Sequence, residues 1–478
     1  MLDAKFIKIL TMVLTLSAGV LALFLIKCDF GTEPNYLDIT PRNAINFMEE
    51  KPNANPTKDN LYLNGSFPPQ VNIKKLSDLP SLDPNYPPLS RQNKALLFDR
   101  LTLAFDFTYN KDFSDPRNFS DDFMAYYLRQ ELQALLDMYV ATQKGRYLGK
   151  AKQLVFQAIS DAKTNPRIMY YHGQNRGSWP CFLLESVLKD TGGHNQLNDF
   201  QGAAGFMMVA VALKQNNQPG WREIADFVEK FIIEKWLYFN PEIKQNSFLG
   251  PESNTYLLAV LDGARDKREH FTTICLDLHK LGYTKLPYEK WAKFFIKMYL
   301  GEKKNTQQSF FDPTIPPRLQ PKDWGVIPEN SSGGYVWYWK SREPVIQDTS
   351  HANRTVWLAC EVYSENLLDA NALNRFVNTF KKQIWAPDKN TFHFNNFIDG
   401  NDPPIRENAP GFKGNVWFGW HRLAAYDTDL RNLFISLAYE LTKGGQNIPP
   451  SQNKTMKNAP ICFYAWAARL LAENDIHE

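Results

Sequence analysis

The chain has 478 residues, 44% of them hydrophobic. That suffices for a large core, cut into roughly three domains of ~150 residues or wound into one large closed architecture. Its 54 basic and 51 acidic residues leave a formal net charge of +3, and no basic tract of the kind that tracks phosphates stands out, which argues against a nucleic-acid partner.

The first signal in chain order is at the N-terminus. Lys5 and Lys8 precede an uncharged run, ILTMVLTLSAGVLALFLI from Ile9 to Ile26, long enough to cross a bilayer core of about 30 Å. No small-x-small cleavage site follows, and Lys27 stands before Cys28 where a lipobox wants a small residue. Residues 1–28 therefore read as an uncleaved signal anchor with its lysines on the cytoplasmic side, a cleaved signal peptide being the alternative. Either way the body is expected outside the cytoplasm, periplasmic or extracellular. Residues 29–90, rich in Pro, Asn and Asp, read as a linker or an arm lying over the domain surface.

Residues 91–478 carry helical periodicity. DDFMAYYLRQELQALLDMYVATQ puts Phe123, Tyr127, Leu128, Leu132, Leu135 and Leu136 on one face; Gly145 breaks the pattern and RYLGKAKQLVFQAISDA resumes it. Further helices are expected near 178–190, 197–214, 221–239, 252–266, 268–282, 288–301, 349–364, 370–385, 415–426, 428–442 and 459–473. Longer interruptions rich in Pro, Gly, Trp and Asn fall at 302–347 and 386–414, and strand-like alternation is confined to pieces such as TFHFNNFI. The fold class is all-α: a single-domain array of helical hairpins whose apolar faces are buried by stacking, a closed ring leaving no open ends. No repeat of fixed period supports a solenoid. Cys181, Cys275, Cys360 and Cys462 lie far apart among apolar neighbours and read as buried free thiols, although an exported location permits one or two disulfides. No spacing asks for zinc. Scattered carboxylates permit a divalent metal without demanding one, so no cofactor is expected.

Four stretches carry chemistry. In QDTSHANRTVWL, Gln347 to Leu358, Asp348, Thr349 or Ser350 can cap a helix whose first turn holds His351. Free N–H groups and the positive end of the macrodipole there favour the neutral imidazole that a general base requires. Arg354 falls on the same face, able to grip a uronate carboxylate bidentately, and Asn353 can share that work from about 100° round the helix. Neutralising the carboxylate acidifies the adjacent C–H, as β-elimination or epimerisation requires. In SSGGYVWYWKSREP, Tyr335, Trp337 and Trp339 share one parity and can line a sugar cleft, with Tyr335 or Tyr338 as proton donor. GFKGNVWFGWHRLAAYDTDL offers Trp417 and His421 as another rim, and HGQNRGSWP offers Asn175, Arg176 and Trp179 in a loop. Glu252, after a Gly-Pro turn, is a candidate second carboxylate. Each admits a plain reading as cap, core or ion pair.

The paired helices, LLDMYVATQKGRYLGKAKQLV, and DTSHANRTVWLACEVY with the following NRFVNTFKKQIWAPDKNTFHFNNFIDG resemble the (α/α)6-toroid, or six-hairpin glycosidase-like, superfamily over roughly residues 91–475. The resemblance implies a toroid of helical hairpins and a carbohydrate-active enzyme: a glycoside hydrolase, polysaccharide lyase or uronosyl epimerase. Fold alone does not choose among these. The His351/Arg354 pair leans toward a membrane-anchored lyase or epimerase acting on a uronate polysaccharide. One alternative is a glycoside hydrolase pairing Asp348 with a carboxylate such as Glu252; another is a non-catalytic glycan-binding envelope protein.

Overall fold

The computed structural model describes residues 90–113, 122–164, 196–238, 257–258, 261, 265–302, 325–338, 346–385, 394–402, 416–443 and 459–473. All of them belong to one unit of the chain, Glu50–Glu478. Among the described residues no helix is long and apolar enough to cross a membrane; the apolar run at 9–26 and the arm up to residue 89 lie outside them.

The described residues are mostly helical: α1 Arg91–Phe113, α2 Asp122–Thr142, α3 Gly145–Thr164, α4 Gln196–Gln215, α5 Trp221–Val228, α6 Glu234–Tyr238, α7 Arg265–Lys280, α8 Tyr288–Leu300, α9 Thr349–Ser364, α10 Ala370–Thr379, α11 Thr428–Lys443 and α12 Ala459–Leu471. A π-helical turn, Glu229–Ile233, joins α5 to α6, and a second, Phe380–Ile384, extends α10; Trp420–Ala425 is a 3-10 helix. Two short strands, β1 Ile327–Pro328 and β2 Tyr335–Val336, pair antiparallel.

The helix ends follow from local chemistry. Asp348 caps α9 and Asp369 caps α10, each carboxylate accepting the N–H three residues on, at 3.0 Å from His351 and 2.8 Å from Ala372. Helices α4, α7 and α9 stop alike. Asn217, Gly282 and Asn366 turn to φ +53°, +88° and +58°, and the next N–H folds back onto the helix: Gln218 to the Leu213 carbonyl at 2.8 Å, Tyr283 to Leu278 at 3.0 Å, Leu367 to Val362 at 2.8 Å. Glycine and asparagine take this left-handed conformation cheaply, so these three residues end the helix and reverse the chain.

The reversals sort the helices into two sets. In the first, α2 packs on α4, α4 on α7, α7 on α9, α9 on the 3-10 helix, the 3-10 helix on α12, and α12 on α2. The second set backs the first: α3 on α2 and α4, α5 on α4, α8 on α7, α10 on α9, α11 on the 3-10 helix and α1 on α12. Cross-contacts give the direction of the first set. Cys462 of α12 meets the Gln130 carbonyl and Arg469 meets Asp137; Gln201 of α4 meets His270 and Lys214 meets the Leu281 carbonyl; Glu269 of α7 meets Thr355 and Thr273 meets Glu361. Early residues pair with early and late with late, so these helices run parallel.

Between α9 and the 3-10 helix the backbones come into contact. A Cβ at Gly419 would lie 1.9 Å from the Asn353 carbonyl oxygen. The Asn353 side chain completes the clasp, its Oδ1 accepting the N–H groups of Phe418 and Trp420 at 3.3 and 3.2 Å. Gly419→Ala must push two backbones apart. It should cost about 2 kcal/mol or more, read as a lower denaturation midpoint at unchanged slope.

Candidate functional site

The N-terminus of α9 is stitched into place before its first turn. Gln347 donates its N–H to the Trp337 carbonyl at 3.0 Å, Thr349 donates its N–H to the Asn396 carbonyl at 2.8 Å and its hydroxyl to the Asn395 carbonyl at 2.7 Å. Trp420 anchors the same turn, donating Nε1–H to the Thr349 carbonyl at 3.0 Å. Asp348 is thereby fixed with both carboxylate oxygens on His351: Oδ1 takes the backbone N–H and Oδ2 lies 2.6 Å from Nδ1. Burial pushes the Asp348 carboxyl up, but the charge and hydrogen bonds of His351, aided by Arg354, outweigh it and hold the carboxyl below its ordinary value. An ionised Asp348 accepts from Nδ1–H, so a neutral His351 carries its basic lone pair on Nε2. The Asp348 side chain is 7% exposed and that of His351 23%, so the imidazole is the member of the pair that reaches accessible space. A base oriented by a buried carboxylate is the arrangement of a general acid–base catalyst.

One turn further in, Arg354 enters a polar cluster contributed by four helices. Its Nε and Nη2 donate to the Gln201 side-chain oxygen at 3.1 and 3.0 Å, and its Nη1 lies 3.7 Å from Asp266. His270 stands beside it, with Nε2 3.0 Å from the same Gln201 oxygen and Nδ1 against Nη1 of Arg129. Nε of Arg354 also lies 3.2 Å from Nε2, and a guanidinium only donates, so the single lone pair of a neutral His270 ring can accept from Arg129 or from Arg354 but not from both. Burial, then Arg129 and Arg354, hold His270 well below the ordinary imidazole value. Deeper still, the guanidiniums of Arg129 and Arg422 lie 4.1 and 4.6 Å from the Trp357 ring centre, and Arg422 and Arg469 share Asp137 at 3.1 and 2.9 Å.

The other residues singled out in the sequence are spread more widely. Tyr335 and Trp337 are fully buried. Tyr335 donates its hydroxyl to Glu302 and packs on Phe376, while Trp337 stacks on Trp420 with ring centres 6.0 Å apart. The parity reading of this strand holds, but the face bearing Tyr335 and Trp337 packs inward, and Val336 and Tyr338 form the half-exposed one. The buried faces of Tyr335 and Trp337 are therefore taken by the protein. Asn353 is spent on the clasp to Phe418 and Trp420. Trp417 is buried against Phe394, Phe434 and Phe463. His421 is buried with Nδ1 3.3 Å from the Val416 carbonyl, and burial, then Arg422, lower it well below its ordinary value. Asn175, Arg176, Trp179, Glu252 and Trp339 lie outside the described residues.

Sequence reasoning passed over Arg129, Gln201, Asp266 and His270. Their signal was an excess of polar residues in segments that also carry an apolar helical stripe, as in RDKREHFTTICLDLHK. Among the described residues no group of His, Cys, Asp and Glu could hold a metal ion, and Cys275, Cys360 and Cys462 are free buried thiols. No family model, curated protein or solved structure matches this chain.

Two predictions follow from these ionisations. Asp348→Ala removes the cap of α9 and should cost about 1 kcal/mol, most of it restored in Asp348→Asn, which can still cap; chemical denaturation of the two variants measures this. His270 stays neutral in the folded state but takes a proton near pH 6.5 when unfolded. Below that pH the unfolded state binds the extra proton, so the contribution of His270 is present above about pH 6.5 and is lost on acidification, by about 1.4 kcal/mol per pH unit. Asp277, raised to about 7 by burial and by Glu361, titrates in the opposite sense. The test is therefore the stability difference between wild type and His270→Gln, which should shrink from pH 6.5 to pH 5.

Proposed function

We propose that the chain is a carbohydrate-active enzyme of the (α/α)6-toroid type. What supports the architecture is the circuit of contacts: six parallel elements each touching the next, the last returning to the first, backed by six more. What carries the chemistry is the Asp348–His351 pair at the start of one of those elements, with the Arg354 guanidinium one turn below.

The reaction this arrangement fits best is proton abstraction next to a uronate carboxylate. Arg354 neutralises the carboxylate and stabilises the enolate that forms when His351 Nε2 takes the proton from C5. Asp348 stabilises the resulting imidazolium. Expulsion of the C4 oxygen, with a proton delivered from a donor such as the half-exposed Tyr338, completes β-elimination; return of a proton to the opposite face of C5 gives the epimer instead. The topology favours this end of the molecule for a long polymer. Long segments, 165–195, 239–264, 303–348 and 386–419, lead into α4, α7, α9 and the 3-10 helix, whereas short turns leave them. Asn175, Arg176, Trp179, Glu252 and Trp339 all belong to those long segments. The lysine-flanked run at 9–26 supports a membrane-anchored protein with this body outside the cytoplasm.

Incubating the full chain with a panel of uronate and neutral polysaccharides tests the reading. Unsaturated, ultraviolet-absorbing ends mark elimination, and solvent deuterium at C5 marks epimerisation. His351→Ala should lower kcat by about 10²–10⁴-fold, with a smaller loss for Asp348→Asn. New reducing ends without unsaturation would transfer the assignment to a glycoside hydrolase, and binding without any turnover to a glycan-binding protein. Activity untouched by His351→Ala would end the proposed role of the pair.

A further inference from the structure

Toward the C-terminal ends of α7 and α9, remote from His351, one lysine faces three carboxylates. Lys280 lies 3.4 Å from Asp277 on its own helix, 3.9 Å from Glu361 of α9 and 2.9 Å from Glu365 just beyond it. We infer that Asp277 and Glu361 form a proton-dependent latch between these helix ends, closed while Asp277 carries a proton and loosened when it ionises. The latch is independent of the reaction proposed above.

Burial denies these acids water: the Asp277 side chain is 4% exposed and that of Glu361 14%. They are unequally provided with donors. Glu361 accepts the Thr273 hydroxyl on Oε2 at 3.1 Å and has Lys280 on the side of Oε1. Asp277 meets Lys280 through Oδ1 alone, and its buried Oδ2 has no hydrogen-bond partner. A buried carboxylate oxygen without a donor, beside a second carboxylate, is costly, whereas the neutral acid carries no charge to solvate or repel. The surrounding cations do not cancel this. Arg129 of α2 opposes the effect only weakly, from beyond ion-pair distance. Lys214 of α4 gives its ammonium to the carbonyls of Lys280 and Leu281 at 3.4 and 3.2 Å. On the α8 side Glu289 faces the exposed His279, and on the 3-10 helix Arg422 lies against the Trp357 ring. Burial, then Glu361, therefore raise the Asp277 carboxyl to about 7 against the pull of Lys280 and Arg129. Burial lowers Lys280, but Asp277, Glu361 and Glu365 outweigh it and raise the ammonium, which stays a cation throughout.

Helices α7 and α9 are joined by Glu269 to Thr355 and, two turns on by the α9 partner, by Thr273 to Glu361. Beyond Thr273, among the described residues, their polar links run through Lys280. Ionised, Asp277 repels Glu361 across that last joint and regains solvation when the helix ends part to admit water. The closed form keeps the proton up to about pH 7, the open form only up to about pH 4, as an ordinary aspartate does. Between those values the closed form binds more protons, so the latch is strongest below about pH 4, weakens as pH rises and levels off above about pH 7.

Amide hydrogen exchange of the full chain, corrected for intrinsic rates, tests the latch against Asp277→Asn, which keeps the shape of the neutral acid. Relative to that variant, wild-type opening at the C-terminal ends of α7 and α9 should grow about tenfold from pH 6 to pH 8. Peptides from α1 and α11 should show no such growth. A ratio that ignores pH overturns the proposal, and so does equal growth in every peptide, which would place the proton in global unfolding. Infrared difference spectra of wild type against Asp277→Asn read the proton itself. A carboxylic-acid C=O band should be present at pH 6 and lost by pH 8, and Glu361→Gln should move its loss to lower pH. Absence of the band, or a loss that Glu361→Gln leaves in place, overturns the latch. Should Asp277→Asn fail to fold, the pH-difference spectra of wild type and Glu361→Gln decide by the same two outcomes.

Discussion

A helix walled in by other helices cannot send its charged residues to water, and α7 is in that position. It packs on α4, α8 and α9, yet its first turns carry Arg265, Asp266, Arg268, Glu269 and His270, all buried. Each therefore needs a partner inside the protein. Arg265 bonds Glu269 at 2.8 Å and the Tyr299 carbonyl at 2.7 Å; Arg268 reaches the Leu258 and Leu261 carbonyls; Glu269 takes the Thr355 hydroxyl at 2.6 Å. Asp266 faces Arg354 and His270 faces Gln201. Hydrophobic contact is non-directional and would tolerate a slip of one turn between helices. These bonds do not, because a slip would leave buried charges unpaired, so they fix the register of α4, α7 and α9.

That register determines what the site can be. With Glu269 opposite Thr355, Arg354 falls level with Gln201 and His270, and His351 falls one turn nearer the helix starts. The Asp348 cap then orients His351 from the other side. The candidate base and its candidate cation thus stand at fixed depths because the helices beneath them are locked, and the Asn353–Gly419 clasp holds the third neighbour of α9 at the same level. Substitutions several residues from His351, in α7 or in the clasp, should reach the site through this register.

The sequence made much of the fold legible, since helix periodicity and end signals are local. The helix expected at 349–364 is Thr349–Ser364, and the one at 288–301 is Tyr288–Leu300. Of the three residues read as able to cap the first of these, Asp348, Thr349 and Ser350, it is Asp348 that does. The helix expected at 268–282 begins three residues earlier, at Arg265, which the sequence reading placed with Asp266 at the end of a separate helix, 252–266. Local pattern also hid Arg129, Gln201 and His270, whose chemistry exists only where three helices meet. Around Tyr335 and Trp337 the alternation was legible but its orientation was not. Parity divides a strand into two faces, and which face is wet depends on Phe376 and Trp420, distant in sequence.

The two ends of the parallel set differ in what they can accommodate. At the C-terminal end α4, α7 and α9 close through tight left-handed turns at Asn217, Gly282 and Asn366, which leave little chain for building a site. The stretches of sequence that lead into the N-terminal ends of these helices are longer. The parallel helices also direct their positive dipole ends there. Segment length and dipole direction are independent features of the molecule, and both fit the acidic polymer proposed above.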